Sequence, residues 1–177
     1  MNIHSQYSSQ VSTQSYGKKG QIDGLELLHL PWNSDDGGNF SEIFRLDKGQ
    51  VTGLKDPFEA KQVSMSLIIP GTIKAYHLHY RQDDIWYVSP LQRLLVNLHD
   101  VREDSPTFDS HQRIVLGGGK NLLLRIPRGV AHGVANIYSQ EMMLFYATNE
   151  QFELSNPDEQ RLPWDIFGKD VWELSKG

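Results

Sequence analysis

Gly71-Thr-Ile-Lys-Ala-Tyr-His77-Leu-His79 and Pro127-Arg-Gly129-Val-Ala-His132-Gly-Val-Ala-Asn136 decide how this chain folds. The first is a strand-like run that ends in His-x-His. On a strand, residues i and i+2 share a face, so His77 and His79 point one way. Tyr76, Leu78 and Tyr80 then point the other. In the second stretch, Pro127-x-Gly129 imposes a turn, and the strand after it carries His132 and, two strand periods on, Asn136. Together the two stretches predict a small β-barrel whose polar mouth holds three imidazoles. Such a mouth suits proton transfer or metal chemistry.

Working outward, short runs of β-branched and apolar residues recur on both sides, separated by turn signals such as Asp35-Asp36-Gly37-Gly38, Pro70-Gly71 and Gly117-Gly118-Gly119. The expected strands are Leu25–Leu30, Gly38–Arg45, Gln62–Ile69, Ile73–Tyr80, Ile85–Val88, Arg93–Val101, Gln112–Leu116, Asn121–Ile126, Gly129–Asn136 and Met142–Thr148. This spacing indicates an all-β sandwich or barrel. Residues 1–20, rich in Ser, Gln, Tyr and Gly, read as a flexible tail, and residues 21–177 as one domain. A short helix is expected between Trp164 and Gly177.

Composition narrows the function. The 177 residues allow one domain with a real core. A net charge of −5 gives no basic footprint for nucleic acid. There is no cysteine, which removes disulfides and thiol nucleophiles. No apolar run is long enough to span a membrane, and no secretory signal is visible, so a cytoplasmic protein is expected. Gly117-Gly-Gly119-Lys120 mimics a phosphate loop. It lacks the earlier Gly and the Ser or Thr after the Lys, and reads as a turn.

Gly71, His77, His79, Asp84 and His132 together resemble the two motifs of the cupin superfamily, and so imply a cupin-like double-stranded β-helix, or jelly-roll barrel. A longer resemblance runs from about Gln62 to the end and is more specific. Lys74-Ala-Tyr-His77, Asp100-Val-Arg102-Glu-Asp-Ser105-Pro106-Thr107, Ile126-Pro127-Arg-Gly129-Val-Ala-His132-Gly133, Leu144-Phe145-Tyr146, Trp164-Asp165 and Lys169-Asp170 are similar, in that order, to segments of the dTDP-4-dehydrorhamnose 3,5-epimerase family. Asp35 to Glu42 approximates a further N-terminal segment of that family.

The resemblance implies an isomerase that epimerises a nucleotide-diphosphate-linked 4-keto-6-deoxy sugar at C3, C5 or both. It would work as a homodimer, with no cofactor and no metal, in deoxysugar or polysaccharide biosynthesis. The chemistry suits the residues: the ketone acidifies the neighbouring C–H bonds, and a base that titrates near neutrality can remove the proton. The resemblance assigns catalysis to His77 as base, Asp170 as its orienting carboxylate and Tyr146 as acid on the other face of the ring. Gln62, Lys74, His79, Arg81 and His132 are the expected substrate-binding residues, with Lys74 and His132 at the enolate oxygen. The chain also departs from the pattern. Asp83-Asp84-Ile85-Trp86-Tyr87 stands where the family carries a Lys, Gly37 where it carries an Arg, and His79 where it carries a Gln. Two alternatives follow. One is a metal-dependent cupin, a dioxygenase or isomerase, with His77, His79, Asp84 and His132 as ligands. The other is a non-catalytic sugar-nucleotide binder.

Overall fold

Fourteen strands follow one another along the chain in the computed structural model, which describes residues 1–13 and 20–175. They are β1 (Glu26–His29), β2 (Asn33–Asp35), β3 (Gly38–Phe40), β4 (Leu46–Asp47), β5 (Gln50–Val51), β6 (Gln62–Ile68), β7 (Ile73–Leu78), β8 (Asp84–Tyr87), β9 (Arg93–Asp100), β10 (His111–Gly117), β11 (Leu122–Ile126), β12 (Val130–Ala135), β13 (Met142–Thr148) and β14 (Gln160–Arg161). Two five-stranded sheets carry the fold, in the orders β1-β11-β8-β13-β6 and β10-β9-β12-β7-β14. Their pairings are antiparallel, and strands distant in sequence lie side by side. This is the all-β, cupin-like jelly roll expected from the sequence.

The core lies between the sheets because each strand alternates its faces. Leu94, Val96 and Leu98 of β9 meet Leu122, Leu124 and Ile126 of β11, with Trp86, Val130, Val134 and Leu144 around them. Burying one such aliphatic side chain contributes roughly 1.5–3 kcal/mol. The residues in between are not left to solvent. Leu123 packs outward with Phe58, Val51 and Ile85. Leu95 packs outward with Tyr76, Ala131 and Ala135 beneath Trp172. With both faces covered, β8, β11 and β12 are apolar along most of their length rather than alternating.

Two motif segments turn out to be braces. The Asp100 carboxylate accepts bonds from Arg102 Nε at 2.8 Å, Ser105 Oγ at 2.6 Å and Thr107 Oγ1 at 2.7 Å, which ties down the loop after β9. Burial alone would push this carboxyl up; the bonds from Arg102, Ser105 and Thr107 outweigh it and hold Asp100 well below the usual carboxylate range. The stem of Arg102 lies against Gly129, where a Cβ would come within 2.5 Å of Arg102 Cγ and where φ is +76°. Only glycine fits that turn, and the turn launches β12 toward His132. Asn136 closes the same strand: its Nδ2 donates to Ile68 O at 2.8 Å and Gln140 O at 2.7 Å.

The strands expected from sequence are present with small shifts at their ends, apart from Gly38–Arg45, which stops at Phe40. The short strands β2, β4, β5 and β14 carry no periodic signal and exist through pairing alone. The C-terminal helical segment is one 3-10 turn, Asp170–Trp172. Of the expected tail, residues 14–19 lie outside the described residues, and Ser5–Ser8 form one exposed helical turn. No helix among the described residues is long and apolar enough to cross a membrane.

Candidate active site

One end of the space between the sheets opens into a cavity. The sheet of β7 and β12 supplies Lys74, His77, His132 and Val134, and the turn after β7 adds His79; the other sheet supplies Ser66, Asp84, Trp86, Leu144 and Tyr146. His77 and His132 are direct cross-strand partners, and their rings stack at 6.0 Å. Strict alternation would turn Lys74 away from His77. The register between β7 and β12 shifts instead: Lys74 pairs with Val134 and His77 with His132, so β7 spends one residue more than its partner. This β-bulge brings both side chains to the cavity. It needs Gly133, where a Cβ would stand 2.4 Å from Ala75 Cβ.

The imidazoles differ in partners. His77 Nδ1 lies 2.8 Å from a Glu159 carboxylate oxygen. Its Nε2 accepts from Arg161, at 2.8 Å. Burial first, then the charges of His132, Arg161, His79 and Lys74, push the His77 imidazole down to about 3. His77 is therefore a neutral base at neutral pH. His132 Nδ1 donates to Val130 O at 2.8 Å, and burial outweighs the attraction of Asp84 and holds this imidazole below its ordinary range. His79 Nδ1 donates to Asp158 O. The Asp158 carboxylate in turn accepts the backbone N–H groups of Tyr80, Arg81 and Gln82, which fixes the turn beneath His79.

Residues 19–167 match the family model described as dTDP-4-dehydrorhamnose 3,5-epimerase. The chain belongs to the dTDP-4-dehydrorhamnose 3,5-epimerase family. It is an isomerase-class enzyme of the sugar-nucleotide epimerase type. The spore coat polysaccharide biosynthesis protein SpsL of Bacillus subtilis (strain 168) is 39% identical over 144 residues, 81% of this chain and 91% of the relative. The probable low-salt glycan biosynthesis epimerase Agl13 of Haloferax volcanii is 29% identical over 144 residues, 81% and 89% of the two chains. The dTDP-4-dehydrorhamnose 3,5-epimerase of Bacillus anthracis, solved with TDP and PPi bound, shares the fold. Its TM-score is 0.72 at 22% identity, covering 88% of this chain and 91% of that one.

Within this epimerase fold the expected site residues divide. His77, Tyr146, Lys74, His79 and His132 line one cavity. Asp170 does not reach it. It lies in a groove with His111, Arg113 and Glu173. Its neighbour Trp172 packs on Tyr76, on the face of the sheet turned away from His77. The carboxylate at His77 belongs to Glu159. Gln62 is turned aside, holding Ser64 Oγ with its Nε2 and accepting Phe152 N at 2.9 Å. Arg81 lies in a separate groove with Glu150 and Phe152. Asp84, weighed as a metal ligand, does enter the cavity, but His77 stands apart from the cluster that His79, Asp84 and His132 form.

Glu159, Arg161, Gln82, Trp86 and Ser66 were not expected at the site. Trp86 sits in phase with Asp84 on β8, and period-two reading would have found it. Glu159 and Arg161 carry no such signal. Arg161 lies in, and Glu159 just before, a two-residue strand whose partner, β7, lies some eighty residues earlier.

Proposed function

We propose that the protein epimerises a nucleotide-diphosphate-linked 4-keto-6-deoxy sugar at C3, C5 or both. It works in the cytoplasm, in deoxysugar or polysaccharide biosynthesis. The observation that carries this reading is that His77 and Tyr146 line one cavity from opposite sheets. A sugar ring held between them has a base on one face and a phenolic acid on the other. His77 Nε2 takes the proton from the carbon beside the ketone, the electrons move to the C4 oxygen, and Tyr146 Oη returns a proton from the opposite face. Glu159, on Nδ1, fixes the imidazole and steadies its positive charge during the transfer.

His132 donates its Nδ1 proton to Val130 O, so its Nε2 offers a lone pair and no hydrogen. Lys74, whose ammonium donates to Ser66 Oγ at 3.2 Å, is the group left to stabilise the enolate oxygen. Arg161 covers His77 Nε2 in this structure, and the substrate's anionic diphosphate draws it away and frees the base. The TDP and PPi bound by the Bacillus anthracis structure support a nucleotide-diphosphate substrate.

We also propose a homodimer. β6 is the outermost strand of its sheet and exposes Val63, Met65 and Leu67 on one face, with Ile69 just beyond. An apolar stripe on an open edge invites a second copy.

The test is solvent-deuterium exchange into 4-keto-6-deoxy sugar nucleotides bearing several bases. Deuterium at C3 or C5, lost on His77→Ala, is expected. Absence of exchange with every sugar nucleotide overturns the reading.

A further inference from the structure

His79, Asp84 and His132 place one ligand atom each within 4.8 Å of one another, and all three residues are buried. Asp84 Oδ2 lies 3.6 Å from His132 Nε2 and 4.0 Å from His79 Nε2. Neither separation is a hydrogen bond. The protons on the far ring nitrogens are accounted for: His132 Nδ1 donates to Val130 O and His79 Nδ1 to Asp158 O. Both Nε2 atoms therefore turn lone pairs toward a carboxylate oxygen. The donors around the cluster serve the carboxylate: Gln82 Nε2 to Asp84 Oδ1 at 2.7 Å and Trp86 Nε1 to Asp84 Oδ2 at 3.0 Å. Gln82 Nε2 is also 3.5 Å from His79 Nε2, at the limit of contact. Three acceptors of buried residues thus converge, and a cation at their centre would relieve the crowding of lone pairs.

We infer that His79 Nε2, His132 Nε2 and Asp84 Oδ2 bind one divalent transition-metal ion at the floor of the cavity. Two imidazoles and a carboxylate suit zinc, manganese or iron and leave positions open on the cavity side. Ligand bonds of about 2.1 Å at tetrahedral or octahedral angles put neighbouring ligand atoms roughly 3.0–3.4 Å apart. The observed 3.6 and 4.0 Å separations close to that by small side-chain rotations. The outer contacts fit as well: backbone carbonyls on both Nδ1 atoms and two donors on the carboxylate are what orient metal ligands. His77 is excluded, because both its nitrogens are occupied by Glu159 and Arg161. The inference does not depend on the epimerase reading, and its test reads the metal rather than turnover.

The full-length protein is stripped with a chelator, dialysed and titrated with Zn²⁺ and Mn²⁺, with metal content and melting temperature measured. One ion per chain and a raised melting temperature are expected. His79→Gln and Asp84→Asn should each weaken binding by more than the ~100-fold typical of losing an outer partner. His29→Ala, an exposed histidine on β1, should leave it unchanged. X-ray absorption of the unmodified protein loaded with zinc should show two imidazoles, and this readout stands even if a variant misfolds. No stoichiometric binding, a metal shell without two imidazoles, or equal binding by the folded His79→Gln and Asp84→Asn proteins overturns the site.

Discussion

His77 has two ring nitrogens, and each has a single assigned neighbour. Glu159 on Nδ1 sets the tautomer, so Glu159→Gln should lower kcat by about 10–100-fold, with little change in KM, because the charged form of His77 gains more from the carboxylate than the neutral form does. Asp170→Asn, in a groove on the other side of the sheet, should leave kcat within about twofold. Steady-state kinetics on both variants decides between the two carboxylates, and a large loss in Asp170→Asn alone would reverse the assignment. His77 itself was legible from His-x-His, and Tyr146 from its place in the family pattern. Glu159 was not, because a carboxylate in a polar loop looks like any solvated acid until β14 pairs with β7.

The elements that hold the site tolerate less than their exposure suggests. Gly133 lets β12 pass the bulge of β7, and Gly133→Ala would place a methyl carbon 2.4 Å from Ala75 Cβ. A loss of about 1–3 kcal/mol is expected from such overpacking, read as a lower urea midpoint. The Asp100 brace carries the pH dependence of this region. Its folded pKa lies below the unfolded value, so the carboxylate stabilises the fold fully above the ordinary Asp range and loses that effect as pH falls from there through the folded value. Asp100→Asn should therefore cost about 1–3 kcal/mol at neutral pH. The cost should shrink in acid, and urea melts at both pH values check it; a gap that widens in acid would exclude this role for Asp100. Strand positions were readable because period-two alternation and Gly–Pro punctuation are local. The bulge was not, since it is a register shift between two strands more than fifty residues apart.

At the scale of the whole molecule, the outer stripe of β6 is the surface that the proposed homodimer would bury. Met65 is 57% exposed and central to it. Met65→Lys should convert a dimer to a 20.2 kDa monomer in light scattering, without lowering the amount of folded protein. A wild-type monomer would exclude the dimer. The sequence alone determined the all-β class, the strand segments, the turn at Gly129 and the histidines, because each depends on neighbours a few residues away. Tertiary structure decided which histidine meets which carboxylate. His77 could have paired with Asp170 or Glu159, and His79 and His132 could have been bases, donors or ligands. The interleaved order of the two sheets brought Glu159 to His77 and Asp84 between the other two imidazoles. Pairings between residues dozens of positions apart are set by packing, and no local pattern records them.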